Sequence, residues 1–147
     1  MPLITRIFLK TGLLYFIGAL LVGVALQVDF LGIPNLVPLF WHMLMLGWIT
    51  QIIFGVSLWM FPGRIKEESF QNQKWSWLTY ILLNSGLILR LISEPMILQS
   101  EAYFWKVLLT ISAVLQFVAV ICYVIEIWPR VLSIKQRRKK KRANKLT

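Results

Sequence analysis

The sequence predicts an all-α integral membrane protein, a four-helix transmembrane bundle with the N- and C-termini both cytoplasmic. Three observations predict it. Of the 147 residues, 58% are hydrophobic, against roughly 45–50% in an average soluble domain; so short a chain has no interior large enough to hide them. Four stretches of apolar residues run free of charge or nearly so. Sixteen basic residues face six acidic ones, and nine of the sixteen lie between Arg130 and Lys145. Strands are a poor alternative, because the apolar runs lack the polar and apolar alternation of a membrane barrel.

A helix rises about 1.5 Å per residue, so about twenty residues cross a hydrocarbon core about 30 Å thick. The first helix is expected over about 7-28, where eighteen uncharged residues separate Lys10 from Asp29. No small-residue cleavage pattern follows it, so it reads as a retained helix rather than a leader. Thirty-four uncharged residues lie between Asp29 and Arg64. Gly32-Ile33-Pro34-Asn35 and Pro38 mark a loop there, which leaves a second helix over about 38-61, stopped by Pro62-Gly63. The third helix, about 75-93, has fifteen uncharged residues between Lys74 and Arg90. It reaches a full span only with Arg90 near an end or turned into the bundle. The fourth, about 104-128, holds nineteen uncharged residues between Lys106 and Glu126 and stops at Pro129. Residues 1-129 thus form one transmembrane domain, and 130-147 a basic cytoplasmic tail expected to be disordered.

Orientation follows from the loops. With the N-terminus inside, Arg6, Lys10, Arg64, Lys66, Lys74 and the nine tail residues are inside, while Arg90 and Lys106 are left outside. Trp41, Trp75, Trp77, Tyr103, Trp105 and Trp128 fall at helix ends, where interfacial rings belong. The location expected is the inner (plasma) membrane, as a multi-pass protein. The tail reads as a topology anchor that touches anionic lipid headgroups, at roughly 1 kcal/mol per basic residue. Nucleic acid is the weaker partner, because the tail lacks interleaved aromatics and leaves a membrane helix directly.

Polar residues inside a membrane are costly, so each is a candidate site. His42, the only histidine, lies about one turn into the second helix, towards the outer face. Gly47, Gln51 and Gly55 follow at spacings of four and form a stripe suited to close helix packing; Ala19 and Gly23 form a similar pair in the first helix. Asn84, Ser85 and Gly86 lie near mid-membrane in the third helix, with Asn84 expected to bond Gln51 or another helix. Arg90 has two readings: an ion pair with Glu94 four residues on, or a clamp for an anionic group. Ser112 and Gln116 share an inward face of the fourth helix. Glu126 is expected to pair with Arg64 or Arg130.

No catalytic set can be assembled from these residues. There is no His/Cys cluster, no phosphate loop, and no nucleophile beside a base. The single cysteine, Cys122, excludes a disulfide framework within the chain. Transport is disfavoured by the scarcity of polar residues and of paired broken helices.

The stretch from Leu36 to Arg64, with Pro38-Leu39 leading to His42, then Gly47-Trp48, Gln51, Gly55 and Pro62, resembles the second transmembrane helix of heme-copper oxidase catalytic subunits. The nearest in pattern are the cbb-type cytochrome c oxidases and nitric oxide reductases. With Trp77-Leu78 and Leu82-Leu83-Asn84-Ser85-Gly86, most of the chain apart from its tail looks like a group of short bacterial proteins described as cbb-type oxidase subunit I-like. The resemblance implies His42 as an axial ligand of a low-spin heme, and Arg90, by depth and charge, as a propionate contact. Four helices and one histidine do not make an oxidase. A second axial ligand would have to come from His42 of a second copy in a homodimer, from Met43 or another methionine, or from a partner subunit. Two functions are therefore expected. One is a structural or accessory membrane component linked to respiration, docked on a respiratory complex. The other is a heme-binding electron carrier or sensor that uses His42.

Overall fold

A computed structural model describes residues 2–27, 36–61, 74–97 and 103–131. Four helices account for nearly all of them: α1 (Leu3–Ala25), α2 (Leu36–Met60), α3 (Lys74–Met96) and α4 (Tyr103–Ile127), the last tightened by a 3-10 turn at Trp128–Arg130. Each has at least 23 residues, or about 34 Å of rise, enough to cross a bilayer. The described residues contain no strand. The protein is a multi-pass helical membrane protein.

The helix ends differ from the expected ones for local reasons. α2 starts at Leu36 and takes Pro38 into its first turn, where the backbone N–H groups have no helical acceptor and a missing one costs nothing. α3 carries Pro95 in its last turn and runs on to Met96. α1 starts at Leu3, behind Pro2. The 32–35 loop, the Pro62-Gly63 stop, Asp29, Arg64, Glu101 and the tail beyond Val131 lie outside the described residues.

The bundle is inverted relative to a soluble one. Leu14, Leu21, Phe117 and Ile121 are exposed, whereas Thr5, Gln51, Ser93, Glu94, Ser112, Gln116 and Glu126 are buried. With no water inside a bilayer, association of these helices rests on close packing and on hydrogen bonds between them. α1 lies against α2 where a Cβ at Gly47 would fall 2.7 Å from Cγ of Tyr15; one at Gly55 would fall 3.0 Å from Cβ of Phe8. Ala19 is fully buried in this seam and Gly23 meets Phe40. α3 and α4 approach closely at Gly86, where an added Cβ would fall 3.0 Å from the carbonyl of Ser112. The apolar core has two parts. Phe8, Phe54, Leu58, Leu83, Leu87 and Ala119 fill the end near the N-terminus; Ala19, Leu36, Leu39 and Met43 fill the other. Tyr15 touches both.

One stretch of α2 is not α-helical. Over Met43–Ile49 the backbone winds as a π-helix. The N–H of Thr50 bonds the carbonyl of Met45, five residues back, and its hydroxyl reaches the same oxygen at 2.8 Å. π-turns are rare, and they cluster at functional sites.

Candidate functional site

The polar side chains inside the bundle form three layers. At mid-membrane the hydroxyl of Thr11 on α1 donates to Oε1 of Gln51 on α2 (2.6 Å). Nε2 of Gln51 donates to Oδ1 of Asn84 on α3 (3.0 Å), and Nδ2 of Asn84 donates to the carbonyl of Tyr80 (2.8 Å). Gln51, an amide with no access to water, thus has its acceptor and a donor engaged across two helix seams. At the end near the N-terminus, the hydroxyls of Ser57 and Tyr123 bond each other at 2.7 Å, and the Tyr123 ring stacks on Phe54 with centroids 3.7 Å apart. Glu126 pairs with Arg130 four residues on.

The third layer holds the residues singled out for chemistry. His42 sits two turns into α2, and Arg90 the same distance from the end of α3, each about 9 Å along its helix. Antiparallel packing puts them at one depth. Nη1 of Arg90 lies 2.9 Å from Nε2 of His42 and 3.2 Å from Oε1 of Glu94. Nε of Arg90 donates to the hydroxyl of Ser112 on α4 (3.3 Å), which donates onward to the carbonyl of Gly86 (2.8 Å). Nδ1 of His42 stands 2.8 Å from Oε1 of Glu94, an ionic contact at an angle short of a hydrogen bond. Glu94 is 4% exposed.

The direction of the bond follows from the donors. A guanidinium has five N–H donors and no acceptor, so Nε2 of His42 must accept from Arg90. Nδ1 then faces Glu94 without a hydrogen bond to it. Arg90 and Glu94 carry opposite charges, which lowers the cost of holding both at this depth. The two readings of Arg90 merge here, because the one guanidinium spans Glu94, His42 and Ser112 and so ties α2, α3 and α4 together.

This geometry bears on the heme reading. An axial imidazole needs a ring nitrogen with a free lone pair. The Nε2 lone pair is held by Arg90, and Nδ1 lies beside Glu94. Met43 packs the other way, against Gly18 on α1. Arg90 spends Nη1 and Nε within the bundle rather than on an outside anion. Among the described residues no three His, Cys, Asp or Glu side chains gather as a metal site. The residues as placed do not fit an iron at His42.

Sequence reasoning put Arg90 at the depth of His42, with Glu94 four residues on, and expected Asn84 to bond Gln51 or another helix. It missed Thr11, the α1 partner of Gln51. It also missed Ser112 as the link to α4. The signal for Ser112 was available: a serine on the same face as Gln116, at the depth of Arg90. No protein-family model, curated protein or solved structure matches the chain.

Proposed function

We propose that this protein is a structural or accessory component of the bacterial inner membrane, linked to respiration, whose interior polar groups hold the bundle together rather than carry electrons. The observation that carries the reading is the hydrogen bond from Arg90 to Nε2 of His42, with Glu94 beside Nδ1. A side chain held that way fixes α2 against α3. Resemblance to oxidase catalytic subunits supports the respiratory link, and four long lipid-facing helices suit a subunit that docks sideways on a larger complex.

The test is an absorption spectrum. Protein purified from heme-supplied cells is expected to show no Soret band, and His42→Ala is expected to leave the spectrum unchanged. A Soret band that disappears with His42→Ala would overturn this reading in favour of a heme carrier or sensor, with His42 supplied by two copies.

The charge distribution supports cytoplasmic termini and a tail resting on anionic headgroups. A reporter active only outside the cytoplasm is expected to work when inserted between α1 and α2 and to be silent when fused after Thr147. The reverse pattern would invert the topology.

A further inference from the structure

His42 and Gly47 are five residues apart, and Gly47, Gln51 and Gly55 follow at intervals of four. A regular α-helix turns about 100° per residue. Twelve residues separate His42 from Phe54, so along a straight α-helix the two would point about 120° apart. Phe54 is a core residue, packed on Phe8 and stacked on Tyr123. His42 in a regular helix would therefore swing out of the interior, away from α3. Instead it meets Arg90 and Glu94.

The π-helical stretch between them removes the conflict. A turn closed from i to i+5 holds one residue more than a turn closed from i to i+4, so everything before it is rotated back by one residue's worth, about 100°. That leaves His42 within roughly 20° of Phe54. The same correction aligns Met43, Gly47, Gln51 and Gly55 along α1, where they meet Gly18, Tyr15, Thr11 and Phe8 in turn. A strict four-residue stripe drifts about 40° per step on an α-helix, and the π-turn takes up that drift.

We propose that the π-turn at Met43–Ile49 is the positioning device of the polar cluster: one extra residue in α2 aims His42 at Arg90 and Glu94 while Gln51 keeps its place against Thr11 and Asn84. This deepens the structural reading above, since it assigns the lock a cause in the backbone.

Deleting Met45, which is exposed on the outside of the turn, removes the extra residue without touching the cluster. The measurement is two double-mutant cycles on unfolding in detergent, His42→Ala with Glu94→Ala and Gln51→Ala with Asn84→Ala. In the native chain both double variants are expected to fall short of the product of their single effects by about fivefold. In the deletion variant eleven regular α-helical residues again leave His42 about 20° from Phe54. The His42–Glu94 shortfall is therefore expected to persist together with the Gln51–Asn84 shortfall, which also shows that the variant is folded. Because deletion from a helix already regular would swing His42 by about 100°, a His42–Glu94 shortfall that is lost on deletion while the Gln51–Asn84 shortfall persists overturns this proposal alone. Its absence from the native chain overturns the lock and the proposal together.

Should the deletion variant not fold, oxygen accessibility of single spin labels at positions 41 to 51 of the intact chain decides the winding. Protection at 43, 47 and 51 supports the π-turn, and an unbroken 3.6-residue period overturns it.

Discussion

Arg90→Leu is expected to cost the bundle about 3 kcal/mol of stability, read as a shift in unfolding by heat or denaturant in detergent micelles. The substitution keeps an apolar side chain of helical character in α3, so the loss is electrostatic. Glu94 stays 4% exposed and loses the guanidinium beside it. Nε2 of His42 loses its donor, and the hydroxyl of Ser112 loses its link to α3's guanidinium. Removing one partner of a buried pair costs more than the pair contributes, because the survivor stays buried and uncompensated. The double variant Arg90→Leu with Glu94→Leu is therefore expected to recover much of the loss. If Arg90→Leu alone is as stable as the native chain, the cluster is not closed as described.

The same comparison separates the two functions expected from the sequence. A guanidinium whose role is to hold an outside anion would leave the empty protein little changed when removed. A guanidinium whose partners are His42, Glu94 and Ser112 takes three helices with it.

How much of this was legible in the sequence depends on what each feature rests on. The four spans were plain, because a bilayer demands long apolar runs and nothing shorter will cross it. Their ends were less so. Pro38 reads as a loop residue until the first turn of a helix is seen to have no use for its N–H. Depth alone offered Asn84 a bond to Gln51 or to another helix, and the structure forms the first. The direction of His42 could not be read the same way. Depth fixes how far along a helix a residue lies, but its azimuth is a running sum over every turn between it and the core, and a single π-turn shifts that sum by about a quarter of a revolution. Strict fours from Met43 through Gly47 and Gln51 to Gly55, kept on one face over three steps, are the trace that shift leaves in the sequence.

Gly86→Val is expected to be the most damaging apolar substitution, at about 3 kcal/mol. A Cβ there would lie 2.9 Å from Cγ of Gln116, 3.0 Å from the backbone carbonyl of Ser112 and 3.4 Å from Cβ of Leu115. The carbonyl belongs to α4 itself, so it yields only if the helix moves. Moving α4 outward pulls the Ser112 hydroxyl from the Gly86 carbonyl and from Nε of Arg90, so a steric change in the α3–α4 seam also opens the polar cluster. Gly18→Ala is the informative contrast. Its Cβ meets the terminal methyl of Met43, the flexible end of an adaptable side chain, and a loss within about 0.5 kcal/mol is expected. Unfolding curves of the two variants side by side test the argument: equal effects would mean that small residues in this bundle serve only helix propensity, whereas a large gap places the decisive close approach at Gly86, directly beneath the residues that hold His42.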